Sequence, residues 1–312
     1  MKIVFCTNKT VWDDEAKRYS FCVDGIKAVG KLAEVVFCGI GWENDLYKES
    51  KDADFIIIQA KKKTQTLCND VNYVKDEKLF KNITAKKIIL FDEMYNIDWV
   101  MQKILNTGAQ YIIRNYSNDI KRYEGKKSIK GIKWANIPHC ASVDLFKDYE
   151  EEKVNDVLFV GSVSRHYPFR ERLRKLIEEK LSKLCKCKVI YKQERNKYCF
   201  LEGYAREINK SKITITTSSR YKYRLAKYVE VPLCGSLLAA DLPAEDEGFI
   251  KRFALVLNTD DSDDQIIRKL MYYVEHDEQR MKKIKLGMKM NQEHFSQEVY
   301  AQQFVKVLEG WK

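Results

Sequence analysis

Residues Ser211 to Asp241 read SKITITTSSRYKYRLAKYVEVPLCGSLLAAD. The β-branched run KITITT (Lys212 to Thr217) predicts a buried strand. Ser218-Ser219-Arg220 predicts a polar loop with N-cap chemistry. Leu225, Val229 and Leu233 then recur at helical spacing and give the next segment an apolar stripe. Gly235 stops that helix, and SLLAA (Ser236 to Ala240) predicts a second buried strand. Strand, helix and strand in this order form a βαβ unit, whose crossover is almost always right-handed. A helix N-terminus that follows a strand's carboxyl end faces a crevice suited to phosphates. Tyr223, Lys227 and Glu230 fall on one face of the expected helix, away from the stripe. A cation for phosphate and a carboxylate for ribose hydroxyls would then share one wall.

The same alternation extends in both directions. Toward the N-terminus, KIVFC (2–6), EVVFC (34–38), DFIIIQ (54–59), KIILF (87–91) and QYIIR (110–114) predict strands separated by helical patterns. Further along, DVLFV (156–160), KVIY (188–191) and ALVL (254–257) predict three more. Helices are expected at 169–184, 265–276, 278–292 and 296–310, with Asp260 to Asp264 as an acidic cap on the second of these. Strands alternating with helices mean a mainly parallel sheet. The stretch IKWANIPHCASVDLF (132–146) breaks the rhythm and runs into the charged segment KDYEEEK (147–153), which marks a domain boundary. The expected fold class is α/β, with two Rossmann-like domains facing a cleft. The divisions are 1–140, 141–292 and a terminal helical segment, 293–312, packing back across the hinge.

Composition narrows the possibilities. The 312 residues are 45% hydrophobic and 32% charged, with a net charge of +11. No apolar run reaches the roughly 18 residues of a membrane span, and MKIVFCT leads straight into a strand rather than a signal sequence. A cytoplasmic protein is expected, with peripheral contact to an anionic membrane left open by its charge. Lysine is spread along the whole chain, so the charge reflects composition as much as any patch; it also favours polyanions such as nucleotide diphosphates. Nine cysteines, an odd number set mostly in apolar runs, predict buried reduced thiols. Cys185, Cys187 and Cys199 match no zinc spacing, so no metal is expected there. The one Asp-x-Asp string, Asp52-Ala-Asp54, opens a strand, whereas ligands gather at strand carboxyl ends.

Four pieces in order resemble the GT-B superfamily of glycosyltransferases and, within it, the spore-protein-type enzymes with their family-four-like C-terminal domain. They are SVDLF (142–146), DVLFVGS (156–162) followed by YPFR (167–170), Lys227-Tyr-Val-Glu230 with Gly235 five residues on, and His294-Phe295-Ser296 running to Leu308. The resemblance covers about residues 138–310. It implies transfer of a sugar from a UDP- or GDP-sugar to a glycan or other hydroxyl acceptor, with no obligatory metal or other cofactor. It places Gly161 and Ser162 at the phosphates, Arg165 and Arg170 as diphosphate cations, and Glu230 on the ribose, with Ser218 and Lys227 on the same donor side. The chain departs from the family-four pattern E-x7-E, because the position eight before Glu230 is Lys222.

An inverting transferase also needs a base for the acceptor proton. Asp92 and Glu93 follow the fourth strand and are the candidates; Asp13 and Asp14 read as helix-cap residues, and His139 and His166 as structural or solvated. Two other functions would suit this charge or this fold. A nucleotide-sugar epimerase of the same fold would need acid and base residues that nothing marks. A basic nucleic-acid-binding protein would carry exposed aromatics or a helix-turn-helix, RNP or zinc motif. None is present in the sequence, so no nucleic-acid partner is expected.

Overall fold

Each apolar run that predicts a strand takes a place in one of two parallel sheets. The computed structural model describes residues 1–7, 9, 12, 20–39, 41–60, 77–91, 97–117, 123, 131–190 and 202–312. The chain divides into two units, Met1–Pro138 with Gln297–Lys312, and His139–Ser296.

The first unit holds β1 (Lys2–Cys6), β2 (Glu34–Cys38), β3 (Phe55–Ala60), β4 (Lys86–Phe91), β5 (Tyr111–Arg114) and β6 (Lys133–Asn136) in the order β2-β1-β3-β4-β5-β6. All neighbours are parallel. The central strands are buried on both faces, as their unbroken apolar runs require. β6 lies inside the stretch whose pattern breaks. Its sequence, KWAN, is only half-buried, so an edge strand of this kind has no apolar run to announce it. The helix Gln297–Glu309 packs on the helix Ser20–Val29 of the same unit. Lys86 Nζ fastens the chain end by donating to the Trp311 carbonyl at 2.9 Å. Asp52 and Asp54 serve the amino end of this sheet: Lys2 Nζ lies 2.7 Å from Asp52, and Lys312 Nζ lies 3.0 Å from Asp54. Asp13, Asp14, Asp92 and Glu93 lie outside the described residues.

The second unit holds β7 (Asn155–Val160), β8 (Cys187–Ile190), β9 (Ser211–Ile215), β10 (Leu237–Ala240) and β11 (Leu255–Val256) in the order β11-β10-β9-β7-β8, again all parallel. Two apolar layers cover it. Leu158, Val160, Leu238 and Ala240 face one layer with Tyr228, Val229 and Phe253. Val157, Phe159, Ile213 and Ile215 face the other with Leu173, Ile177, Ile266 and Leu270. Pro168 opens the helix Pro168–Glu179 at a position where its missing N–H costs nothing. The helix Asp263–Glu275 is capped by Ser262, reciprocally with Gln265, and the flanking aspartates occupy its first turn rather than the cap.

Gly235 ends the helix Lys227–Leu233 with φ +66°, and a Cβ there would stand 3.0 Å from the Asp148 carboxylate. Left-handed backbone alone costs a non-glycine residue roughly 1–2 kcal/mol. The turn is further held by Lys153, whose Nζ donates to the Gly235 carbonyl at 2.7 Å and to the Asn209 carbonyl, a cation set at two helix C-termini.

Candidate functional site

In an open parallel sheet, the loops after the strands converge at the carboxyl edge. In the second unit β7, β9 and β10 are consecutive neighbours, so the residues after Val160, Ile215 and Ala240 meet there. Two buried charged side chains, one of each sign, organise the meeting.

The anion is Asp241, immediately after β10 and 4% exposed. Its Oδ1 accepts the Ser218 backbone N–H at 2.7 Å, and its Oδ2 accepts the Ser218 hydroxyl at 2.6 Å. Lys222 Nζ donates to Oδ2 at 3.1 Å. The Tyr228 hydroxyl lies 2.7 Å from the Asp241 carbonyl and 3.1 Å from Oδ1. Burial, aided by the Asp241 charge, pushes the Tyr228 phenol well above its ordinary pKa, which keeps it a donor.

The cation is Arg170, 3% exposed. Nε donates to Thr217 Oγ1 at 3.0 Å, NH2 to the Thr217 carbonyl at 2.7 Å and NH1 to the Ser162 carbonyl at 3.3 Å. The guanidinium also stacks 3.8 Å above the Tyr167 ring. Burial pulls its pKa down, while Tyr167, Tyr228 and Asp241 work in its favour. Gly161, with φ +142°, is required by this approach, because a Cβ there would stand 3.0 Å from Arg170 NH1. The resemblance implies a diphosphate cation at this position; the structure shows a guanidinium whose three nitrogens all donate to the protein, joining the loop after β7 to the loop after β9.

The network therefore brings together Gly161, Ser162, Arg170 and Ser218. Arg165 stands exposed on the same turn. Ser218 does not cap a helix; its N–H and its hydroxyl both donate to Asp241. The loop runs on through Lys222, held at φ +59°, and the helix opens only at Lys227. Tyr223 thus lies before the helix, 1% exposed, instead of on its polar face. Lys227 Nζ lies over the Tyr204 ring at 5.4 Å. Glu230 sits on the same short helix, 9% exposed. Lys222, which replaces the first glutamate of the E-x7-E pattern, is ion-paired with Asp241.

Sequence reasoning missed Asp241, Tyr228, Lys222 and Thr217. Asp241 could have been found, since it follows the apolar LLAA strand at the end where ligands and their supporting groups gather. Elsewhere, Cys185 and Cys187 place their sulfurs 3.6 Å apart as free thiols. Among the described residues no group of three His, Cys, Asp or Glu side chains could hold a metal ion, and no helix is long and apolar enough to cross a membrane.

Two α/β units, each built on an all-parallel sheet, define the class: a pair of Rossmann-like domains. Among solved structures, the chain is similar to an alpha-glucosyltransferase in complex with UDP, at 12% identity and TM-score 0.72 over 99% of this chain and 100% of that one. It is similar to the sucrose-phosphate synthase of Thermosynechococcus elongatus, at 10% identity and TM-score 0.63 over 100% and 99%. It is also similar to the DNA-modifying enzyme beta-glucosyltransferase, solved with and without uridine diphosphoglucose, at 11% identity and TM-score 0.61 over 99% and 100%. At such identities the likeness is one of fold. No family model matches the chain. No curated protein matches it in sequence. The DNA-modifying neighbour does not fit the expectation that nucleic acid plays no part.

Proposed function

We propose that the chain is a glycosyltransferase that moves a sugar from a nucleoside-diphosphate sugar to an acceptor hydroxyl, with its donor site at the carboxyl edge of the second unit. The observation that carries this is the pair of loops after β7 and β9, latched by Arg170 and anchored by Asp241, with the buried Glu230 on the helix that follows. A diphosphate leaving group needs cations and backbone amides already in place, and such a group can be stabilised without a metal. UDP is the favoured nucleotide, because it is the one named with the similar glucosyltransferase. The motif Lys227-Tyr-Val-Glu230 with Gly235 supports the narrower kinship with spore-protein-type enzymes. The first unit would hold the acceptor, and Asp92 or Glu93, after β4, would take its proton.

DNA is the second acceptor class after a glycan. The net charge of +11 favours a polyanion, and a structurally similar enzyme modifies DNA.

Glu230 tests the donor assignment directly. A carboxylate that accepts from ribose hydroxyls contributes about 1.5–3 kcal/mol, or roughly tenfold or more in affinity. Glu230→Gln should therefore weaken UDP binding by that factor in calorimetry while the melting temperature holds. An unchanged affinity would remove Glu230 from the donor site.

A further inference from the structure

Most arginines of the second unit are spent on internal partners. Arg172 pairs with Asp263, Arg206 with Glu151 and Glu202, Arg224 with Asp246, and Arg280 with Asp277. Arg170 is consumed by the loop latch. Arg165 and Arg220 differ: both are exposed, and neither has an ion pair among the described residues. Arg252 and Arg268 share that lack, but Arg252 is the C-cap of the Glu247–Lys251 helix and Arg268 lies in the Asp263–Glu275 helix, so neither belongs to the loops after β7 and β9.

The two exposed arginines are neighbours across those loops. The Arg220 backbone N–H donates to the His166 carbonyl at 2.8 Å, which sets residue 220 beside residues 165 and 166. The Arg220 guanidinium is not loose. It lies 4.8 Å from the centre of the Tyr221 ring and donates from NH2 to the Tyr221 hydroxyl at 2.6 Å. Tyr221 in turn stacks on Tyr223, with centroids 5.4 Å apart and an interplanar angle of 29°. Tyr223 is buried at 1% exposure and gives the stack a fixed base. The same loop is held on one side by Arg170 on Thr217 and on the other by Asp241 on Ser218.

A guanidinium held by stacking loses less freedom on binding an anion than a free side chain does, and its fork matches phosphate oxygens. Two exposed arginines without counter-ions, one of them held by stacking, on adjoining loops at a sheet's carboxyl edge suit an anion with two charged centres. Lys227 is directed to Tyr204 and Arg170 is engaged within the protein, so neither supplies this charge. We propose that Arg220 joins Arg165, where the resemblance already implies a diphosphate cation, in receiving the diphosphate of the nucleotide donor, with the Tyr221–Tyr223 stack fixing Arg220 in place. The proposal rests on the donor assignment above.

Calorimetry on the full chain in EDTA tests it, with UDP, GDP, inorganic pyrophosphate and uridine as probes. Arg220→Ala should weaken UDP and pyrophosphate binding by about tenfold or more, as loss of a charge-assisted contact does, and leave uridine unaffected. Tyr221→Phe keeps the stack but loses the hydroxyl tether, so a smaller loss, about threefold, is expected. Arg252→Ala serves as the exposed-cation control and should bind like wild type. If wild type binds UDP and Arg220→Ala binds it equally well, the arginine assignment is overturned. It is overturned as well if Arg252→Ala weakens binding as much as Arg220→Ala, since general charge then suffices. If wild type binds neither UDP nor GDP, the donor assignment falls first and takes this one with it.

Discussion

Asp241→Ala should lower the melting temperature of the second unit by roughly 10 °C and abolish measurable nucleotide binding. The carboxylate is buried and accepts from the Ser218 N–H and hydroxyl, Lys222 and the Tyr228 hydroxyl. Removing it strands the buried Ser218 amide, leaves the Ser218 hydroxyl only the Ser219 carbonyl at 3.3 Å and takes the counter-ion from Lys222, while the Tyr228 hydroxyl keeps the backbone carbonyl of residue 241. Breaking a buried charged network in this way costs about 3–5 kcal/mol, and a unit of this size loses about 2–4 °C per kcal/mol. The binding loss follows because the loop after β9 would no longer be fixed to the sheet. Asp241→Asn should fall between the two, since its amide keeps the volume and one acceptor but presents an NH2 group to a donor. Thermal melts of the two variants beside wild type check the order, and an Asp241→Ala variant that melts like wild type would show that the network carries little energy.

Arg170→Ala should destabilise the protein by about 3 kcal/mol and weaken nucleotide binding by at least tenfold. Two carbonyls and a hydroxyl on separate loops lose their donor, and the Tyr167 ring loses the guanidinium stacked 3.8 Å away. Arg170→Lys separates the two roles open to this residue. An ammonium cannot span Ser162 and Thr217 at once, so a latch predicts that lysine rescues neither stability nor affinity. A residue acting mainly as a phosphate cation predicts a lysine variant with wild-type stability and part of the affinity. Denaturant unfolding together with calorimetry distinguishes these outcomes.

The α/β class was legible because buried parallel strands must be continuous apolar runs, as in FIII at 55–58 and VLFV at 157–160. β6 was not, because an edge strand such as KWAN can be half polar. The βαβ unit of Ser211 to Asp241 was legible in its strands and its closing glycine, but the start of its helix was not. N-cap residues are recognised by type, and Ser218-Ser219 has the right type; only the fold shows that Asp241 has already taken Ser218. Arg170 illustrates the same limit for charge. Its place after the Gly161 turn is visible in sequence, whereas its partners, the Ser162 and Thr217 carbonyls, depend on the pairing of β7 with β9. Arg220 and Tyr221 carried no sequence signal beyond a polar loop, because their pairing with His166 and Tyr223 comes from backbone geometry. Asp92 and Glu93 lie outside the described residues and rest on strand position alone.

The most direct test of the central claim is amide hydrogen exchange of the full chain with and without saturating UDP, in the presence of EDTA. A ligand at 100 times its dissociation constant stabilises the folded state by about 2.7 kcal/mol, enough to slow exchange visibly where it binds. The account predicts metal-independent protection concentrated in residues 161–170 and 216–230, the loops and short helix that carry Arg165, Arg170, Ser218, Arg220 and Glu230. Protection of those segments by no nucleoside diphosphate, or protection confined to the first unit, would contradict a donor site at this sheet edge.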